Sequence, residues 1–301
     1  MSMRILLLGC KGQVGWELQR SLAPLGELLA CDFDTPGDLK ADFSDPEALA
    51  ALVRRVRPRL IVNSAAHTAV DKAESEPDFA RTLNATAPGV LAREAAALGA
   101  LLVHYSTDYV FDGSGSERRG EDAPTGPLSV YGRTKLEGEQ LIRASGCRHL
   151  ILRTSWVYAA RGGNFARTML KLAAERDSLK VINDQVGAPT GAELLADVTA
   201  HAVRRVLAEP ALAGLYHCVA GGETNWFEYA RFVIEWARAH GQPVRVAPDA
   251  IHPIPTSDYP TPAARPLNSR LATHRLQQAF GLTMPQWQRG VERMLTEILG
   301  Q

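Results

Sequence analysis

The sequence predicts an α/β fold, a doubly wound parallel sheet carrying a smaller C-terminal α/β lobe. Short apolar runs alternate with longer amphipathic stretches over the first half of the chain, the rhythm of parallel strands joined by crossover helices. A glycine-rich turn directly follows the first apolar run, and beyond Trp156 the rhythm loosens into helices, isolated strands and a proline-rich loop from Pro253 to Pro266. The expected strands, in order, are Arg4 to Leu8, Leu28 to Asp32, Leu60 to Asn63, Leu101 to Ser106, Leu150 to Arg153 and Lys180 to Ile182. The expected helices are Gln13 to Leu22, Asp45 to Val56, Asp78 to Leu98 and Tyr131 to Ala144. Ser44-Asp45-Pro46-Glu47 opens the second of these with a cap, an early proline and an acid at the positive helix end. The chain thus divides into residues 1–155 and a lobe of residues 156–301, with elements near 179–218, among them Leu215 to Cys218, expected to return to the main sheet.

Composition narrows the partners. A chain of 301 residues can bury a large core and still carry a second lobe. Its 33 basic residues balance 33 acidic ones, so no general field draws it to nucleic acid or an anionic membrane, and a small molecule is the expected partner. Cys10, Cys31, Cys147 and Cys218 have neither disulfide nor metal-ligand spacing, which suits a reducing cytoplasm. The apolar run Ile5 to Leu8 is too short for a signal peptide, and no stretch reaches the roughly 20 apolar residues that span a bilayer. A soluble, cytoplasmic chain is expected.

The turn Gly9-Cys10-Lys11-Gly12-Gln13-Val14-Gly15 lies between the first strand and the first helix. Glycine there lets the backbone approach a pyrophosphate, whose charge is held by free N–H groups at a helix N-terminus. Three glycines also occur in strand-to-helix turns for steric reasons alone, but Asp32 adds context. It ends the second strand about 20 residues on, where an acid binds the adenosine ribose of a dinucleotide. Against that stands the reading of Asp32 as a solvated loop acid. A Rossmann-type cofactor domain follows. Asp32 repels a 2′-phosphate and favours NADH, whereas Lys11 can neutralise one and admit NADPH, so use of both is expected.

Tyr131-Gly-Arg-Thr-Lys135 places a phenol and an ammonium one turn apart at the start of a helix. A phenol is a poor acid–base group at neutral pH, and a nearby ammonium stabilises its anion. Tyr105-Ser106-Thr107-Asp108-Tyr109 closes the fourth strand at the carboxyl edge of the sheet, where ligands of such folds bind. Thr107 is the hydroxyl expected to hold a substrate carbonyl, with Ser106 second. Each piece alone has an ordinary explanation, surface packing for Tyr-x-x-x-Lys and a turn or cap for Ser-Thr. Their order of loop, hydroxyl strand and Tyr–Lys helix favours chemistry.

With these motifs the chain resembles the extended short-chain dehydrogenase/reductases and, within them, the dTDP-4-dehydrorhamnose reductase family. The segments carrying the resemblance include Gly12 to Leu18, Val62 to Asp71, His104 to Phe111, Val130-Tyr131-Gly132, Arg153 to Tyr158, Asp184 to Thr190 and Arg265 to Ser269. The resemblance implies cofactor contacts at Gly12, Gln13, Val14, Asp32, Asp42, Phe43, Ala66, His67, Thr68, Tyr105, Tyr131 and Lys135. It implies substrate contacts at Thr107, Asp108 and Trp156. The implied reaction is NAD(P)H-dependent reduction of dTDP-4-dehydro-β-L-rhamnose to dTDP-L-rhamnose, a precursor of cell-wall and O-antigen polysaccharide, with Tyr131 protonating the oxygen. Arg265 is a candidate phosphate contact, set against a surface arginine capping a loop carbonyl. The resemblance further implies Mg²⁺ at a homodimer interface, on Glu17, Glu193 and Glu297, although acids so far apart in sequence are usually helix-surface residues.

Two other functions fit the same scaffold. A nucleotide-sugar epimerase or dehydratase holding NAD tightly would need a further acid or base near the substrate, for which Asp108 is the one obvious candidate. A non-catalytic NADP-binding regulatory subunit would be expected to have lost the Tyr–Lys pair, which is intact. Trp226, Trp236 and Trp287 lie among apolar neighbours in helical patterns and read as core residues. The eight histidines show no metal spacing.

Overall fold

The computed structural model describes residues 3–300. Six parallel strands form one sheet: β1 (Arg4–Leu8), β2 (Glu27–Cys31), β3 (Leu60–Asn63), β4 (Leu101–Thr107), β5 (Arg148–Thr154) and, after the separate strand β6 (Leu179–Ile182), β7 (Gly214–His217). Their spatial order is β2-β1-β3-β4-β5-β7. The chain leaves β1 in one direction for β2 and returns across it to β3, so the carboxyl ends of β1 and β3 diverge into a crevice. The inner strands β1, β3 and β4 are buried on both faces, as expected of a parallel sheet covered by helices on each side.

Local signals place the covering helices. α1 (Gln13–Leu22) starts directly from the glycine loop. In α2 (Pro46–Val56) the Asp45 carboxylate accepts from the Ala48 N–H at 3.0 Å and Pro46 occupies the first turn, as the capping sequence requires. α3 (Val70–Ser75) follows the β3 crossover. The single helix expected over 78–98 is instead α4 (Pro77–Arg81), a π-type turn over Thr82–Thr86, and α5 (Ala87–Leu98). The widened turn lets the Asn84 amide reach across the fold: it accepts from the His67 N–H at 2.8 Å and donates to the His67 carbonyl at 3.1 Å and the Thr134 hydroxyl at 3.2 Å.

α6 (Val130–Ala144) carries the Tyr–Lys pair and is held at its start from two sides. The Ser129 hydroxyl caps the Gly132 N–H at 3.2 Å, and the Glu74 carboxylate of α3 accepts from the Val130 N–H at 2.8 Å. Gly132 is required by proximity, since a Cβ there would lie 2.3 Å from the Tyr109 carbonyl oxygen.

Of the segments expected to return to the sheet, β7 pairs in parallel with β5, and α8 (Ala192–Ala208) packs beside α1. β6 does not return: it pairs with β8 (Ile251–Ile254) in the C-terminal lobe. That lobe also contains α7 (Phe165–Glu175), α9 (Trp226–Ala239), α10 (His274–Phe280) and α11 (Trp287–Leu299), although α10 packs back on the sheet domain. A separate core, including Met169, Val181, Tyr229, Val233, Trp287 and Val291, holds the rest of the lobe together. Lys180 alternates outward in β6 while Leu179 and Val181 face this core, so a lone apolar triplet carried no information about which sheet it would join.

Candidate active site

A cleft of about 950 Å³ opens at the carboxyl edge of the sheet, bounded by the glycine loop, the ends of β3 to β5 and the first residues of α9. On the cofactor side, the Gly9 and Cys10 N–H groups donate to the Cys31 carbonyl at 3.0 and 3.2 Å, tying the loop to β2. Gly15 lies under the loop, where a Cβ would come within 2.0 Å of the Gly9 carbonyl oxygen. α1 has no capping side chain and no acid in its first turn, so its positive end and free N–H groups meet the cleft unneutralised, a fit for a pyrophosphate. Asp32 lines the cleft and accepts from the Lys11 main-chain N–H at 3.0 Å. The Lys11 ammonium pairs with exposed Asp34 at 2.6 Å.

At the reacting end, Tyr131, Lys135, Thr107, Asp108 and Trp156 line the same cleft. Burial pushes the Tyr131 phenol up to about 12, partly offset by the neighbouring Thr107 hydroxyl. Burial pulls the Lys135 ammonium down to about 8, opposed by the charge of Glu139. The Lys135 Nζ donates to the Tyr105 carbonyl at 2.5 Å and lies 3.2 Å from His104 Nε2, so its bonds run to strand β4. The Thr107 hydroxyl donates to Asp108 at 3.0 Å and accepts from the Tyr109 N–H at 3.2 Å. Burial raises Asp108 to about 6, against hydrogen bonds from Ser269 and Thr107.

Beneath this edge lies a buried ion pair. Arg153 on β5 makes two bonds to Glu139 on α6, at 2.9 and 2.6 Å, and Ser106 donates to the same carboxylate at 2.5 Å. Ser106, which lines the cleft beside Thr107, thus gives its hydroxyl proton to the Glu139 carboxylate, as Thr107 gives its own to Asp108.

Trp156 follows β5 with φ of +50°, a left-handed conformation uncommon outside glycine. Its ring stacks on Trp226 with centroids 3.7 Å apart and planes 17° apart, and Trp226 donates from Nε1 to Gln185 at 3.0 Å. Trp226 therefore lines the cleft, which corrects its reading as a core residue: hydropathy cannot tell a buried ring from one forming a cavity wall. Trp287 is buried in the C-terminal core, and Trp236 stacks on His240.

Of the remaining expected contacts, Gly9, Gly12, Gln13, Val14, Asp42, Phe43, Ala66, Thr68 and Tyr105 line the cleft. Gly15, His67 and Arg265 do not. The His67 ring is buried edge-on against Phe79, 3.9 Å from Glu76. Arg265 is held by Asp71 at 2.7 and 3.1 Å and by the Ala263 carbonyl at 3.0 Å, fastening the proline-rich loop to α3. Glu17, Glu193 and Glu297 converge on one small separate pocket. Burial raises the Glu193 carboxyl, with the charges of Glu17 and Glu297 adding to the effect, but Arg293 sits 3.1 Å from Glu193 and Arg20 3.6 Å from Glu17. Among the described residues no group of three or more His, Cys, Asp or Glu side chains is placed to hold a metal ion.

Parallel sheet, open helix terminus and Tyr–Lys helix define the class, an NAD(P)H-dependent oxidoreductase of the short-chain dehydrogenase type. The family described as RmlD substrate binding domain matches residues 3–299, and the chain belongs to that family, the dTDP-4-dehydrorhamnose reductases. It is 58% identical over 296 residues to the dTDP-4-dehydrorhamnose reductase of Escherichia coli strain K12, covering 98% of each chain. Among solved structures, a dTDP-4-dehydrorhamnose reductase from Clostridium acetobutylicum superimposes with a TM-score of 0.88 at 35% identity, over 99% of this chain and 100% of that one. A dTDP-4-dehydrorhamnose reductase from Bacillus anthracis in complex with NADP does so with a TM-score of 0.87 at 32% identity, with the same coverage.

Proposed function

We propose that this chain reduces dTDP-4-dehydro-β-L-rhamnose to dTDP-L-rhamnose with NAD(P)H, as the last step of dTDP-L-rhamnose biosynthesis in the cytoplasm. The observation that carries this reading is the meeting of Tyr131, Lys135 and Thr107 in a cleft also lined by the glycine loop. Gly9, Gly12, Gln13 and Val14 would hold the pyrophosphate of the cofactor, Asp32 its adenosine ribose, and Asp42, Phe43, Ala66, Thr68, Tyr105, Tyr131 and Lys135 the rest of it. When bound it supplies the hydride.

Tyr131 gives its proton to the substrate oxygen, and Lys135 supports the phenolate that remains. Thr107 has one proton to donate, and Asp108 accepts it in the free protein. Once a substrate oxygen enters, that proton turns to it, the more readily when Asp108 is itself protonated. The Trp156–Trp226 stack forms an apolar wall for the sugar, and residues 156–301 supply most of the substrate lobe. Asp32 with Lys11 admits both NADH and NADPH. The chain works as a homodimer, to be checked by molecular mass with and without a chelator.

The test follows absorbance of NADPH, and then NADH, with the purified protein and dTDP-4-dehydro-β-L-rhamnose, identifying the sugar by chromatography. Stoichiometric oxidation with dTDP-L-rhamnose formed is the expected result. Absence of net oxidation with either cofactor overturns it and points to an epimerase or dehydratase. A preference above about a hundredfold, roughly 2.7 kcal/mol, refutes dual cofactor use.

A further inference from the structure

A buried histidine with no role in the reaction so far lies directly behind the catalytic lysine. His104 on β4 is enclosed, with Nδ1 3.0 Å from the Asn63 Nδ2 of β3 and Nε2 3.2 Å from the Lys135 Nζ. The Asn63 amide has one workable orientation, because its Oδ1 accepts from the Ala65 N–H at 3.0 Å. Turning the amide over would set Nδ2 against that N–H. Asn63 Nδ2 therefore donates to His104 Nδ1, and the single proton of the neutral imidazole lies on Nε2, facing Lys135. Burial, reinforced by the Lys135 charge, keeps His104 neutral.

This polarity acts on Lys135. A neutral amine uses one N–H on the Tyr105 carbonyl and its lone pair on His104 Nε2–H, with one N–H left for the cleft. An ammonium has three N–H groups and no lone pair, so one of them meets His104 Nε2–H, donor against donor. Shifting the imidazole proton to Nδ1 only moves the same conflict to Asn63. Lys135 also meets the Tyr105 carbonyl of β4 and, from its own helix, the charge of Glu139, which favours the charged form.

We propose that His104, locked in its Nε2–H tautomer by Asn63, is a positioning residue that makes Lys135 release its proton readily to Tyr131. This rests on the reductase reading. As C4 gains its hydride, the Tyr131 O–H bond breaks and its proton joins the substrate oxygen. The phenolate then takes a proton from the Lys135 ammonium, whose new lone pair is received by His104 Nε2–H, and the amine regains a proton from water in the cleft.

The test is NMR on the full chain without substrate, so it does not depend on turnover. The ¹⁵N shifts of His104 are expected to report the Nε2–H tautomer, and the Lys135 ¹³Cε titration is expected to move up by about one pH unit or more in His104→Phe. Asn63→Asp, which accepts from Nδ1–H, is expected to switch the tautomer and shift the lysine the same way. An Nδ1–H tautomer in the unmodified protein, or a Lys135 titration unmoved in a folded His104→Phe, overturns the proposal. The wild-type tautomer alone decides the matter if the variant does not fold. Loss of the reductase reading with both NMR results intact would leave the relay standing without that substrate.

Discussion

Replacing Glu139 by glutamine tests whether the ion pair under the active-site edge holds β4, β5 and α6 in register. The side chains of Glu139 and Arg153 are 1% and 3% exposed. Glutamine keeps the shape but removes the charge, and in either orientation its NH₂ group must face an Arg153 N–H, in one of them beside the Ser106 hydroxyl as well. Arg153 would keep one bond to the Glu121 main-chain carbonyl, at 3.3 Å, and the Phe111 ring, 5.1 Å from its guanidinium carbon. Neighbouring His217 cannot replace the lost negative charge, because an imidazole is at most cationic, and burial and then Arg153 keep it neutral, down to about 3. Removing one partner of a buried pair costs about 3–5 kcal/mol. In a chain of 301 residues that lowers Tm by roughly 5–8 °C. Urea unfolding at pH 7 measures the loss. Replacing Glu139 and Arg153 together by methionine should recover most of it, because no lone charge is left inside. A loss below about 1 kcal/mol for Glu139→Gln would refute the reasoning and show that water or rearrangement solvates Arg153. Because Ser106 precedes Thr107 on β4, kcat is expected to fall in the single variant even at temperatures where it stays folded.

Four further outcomes follow from the geometry. Tyr131→Phe should abolish turnover while retaining cofactor binding; an equally active variant removes the phenol from the mechanism. Asp108 is raised from 3.8 to about 6 on folding, so its contribution to stability is full below about 4 and is lost as pH rises towards 6. Asp108→Asn should therefore gain up to about 3 kcal/mol at pH 7 and nothing at pH 3.5, and an equal gain at both pH values in urea melts would contradict this. Gly15→Ala would force the loop away from α1 and should weaken NADPH binding by more than about tenfold, or 1.4 kcal/mol, in fluorescence titrations; unchanged affinity would mean that the loop relaxes without cost. Trp226→Ala removes a ring stack of about 0.5–1.5 kcal/mol and should raise KM for the sugar nucleotide several-fold with a smaller change in kcat, whereas an unaltered KM would place the substrate away from that wall.

Much of the fold was legible because its signals are local. The apolar runs of β1, β3 and β4, the Asp45 cap and the glycine loop each depend on residues a few positions apart, and each forms where its pattern lies. Tyr131, Lys135 and Thr107 were legible for the same reason: one helical turn and one strand end bring them to the sheet edge. What the chain does at distances of tens of residues could not be read this way. Trp226 meets Trp156 across 70 positions, and Asn63, His104 and Lys135 come from three elements whose adjacency exists only once the sheet has formed. Arg265 has the charge of a phosphate ligand, yet Asp71, nearly 200 residues away, takes its guanidinium. The π-type turn at Thr82–Thr86 has no sequence signal of its own and is held by the bonds Asn84 makes to His67 and Thr134. By itself, then, the sequence determined the elements, the glycine loop and the Tyr–Lys helix and strand end that meet at the cleft, because propensity, capping and spacing act along the chain. Only the tertiary structure decided which polar groups face one another, because hydrogen-bond polarity and burial are properties of neighbours in space.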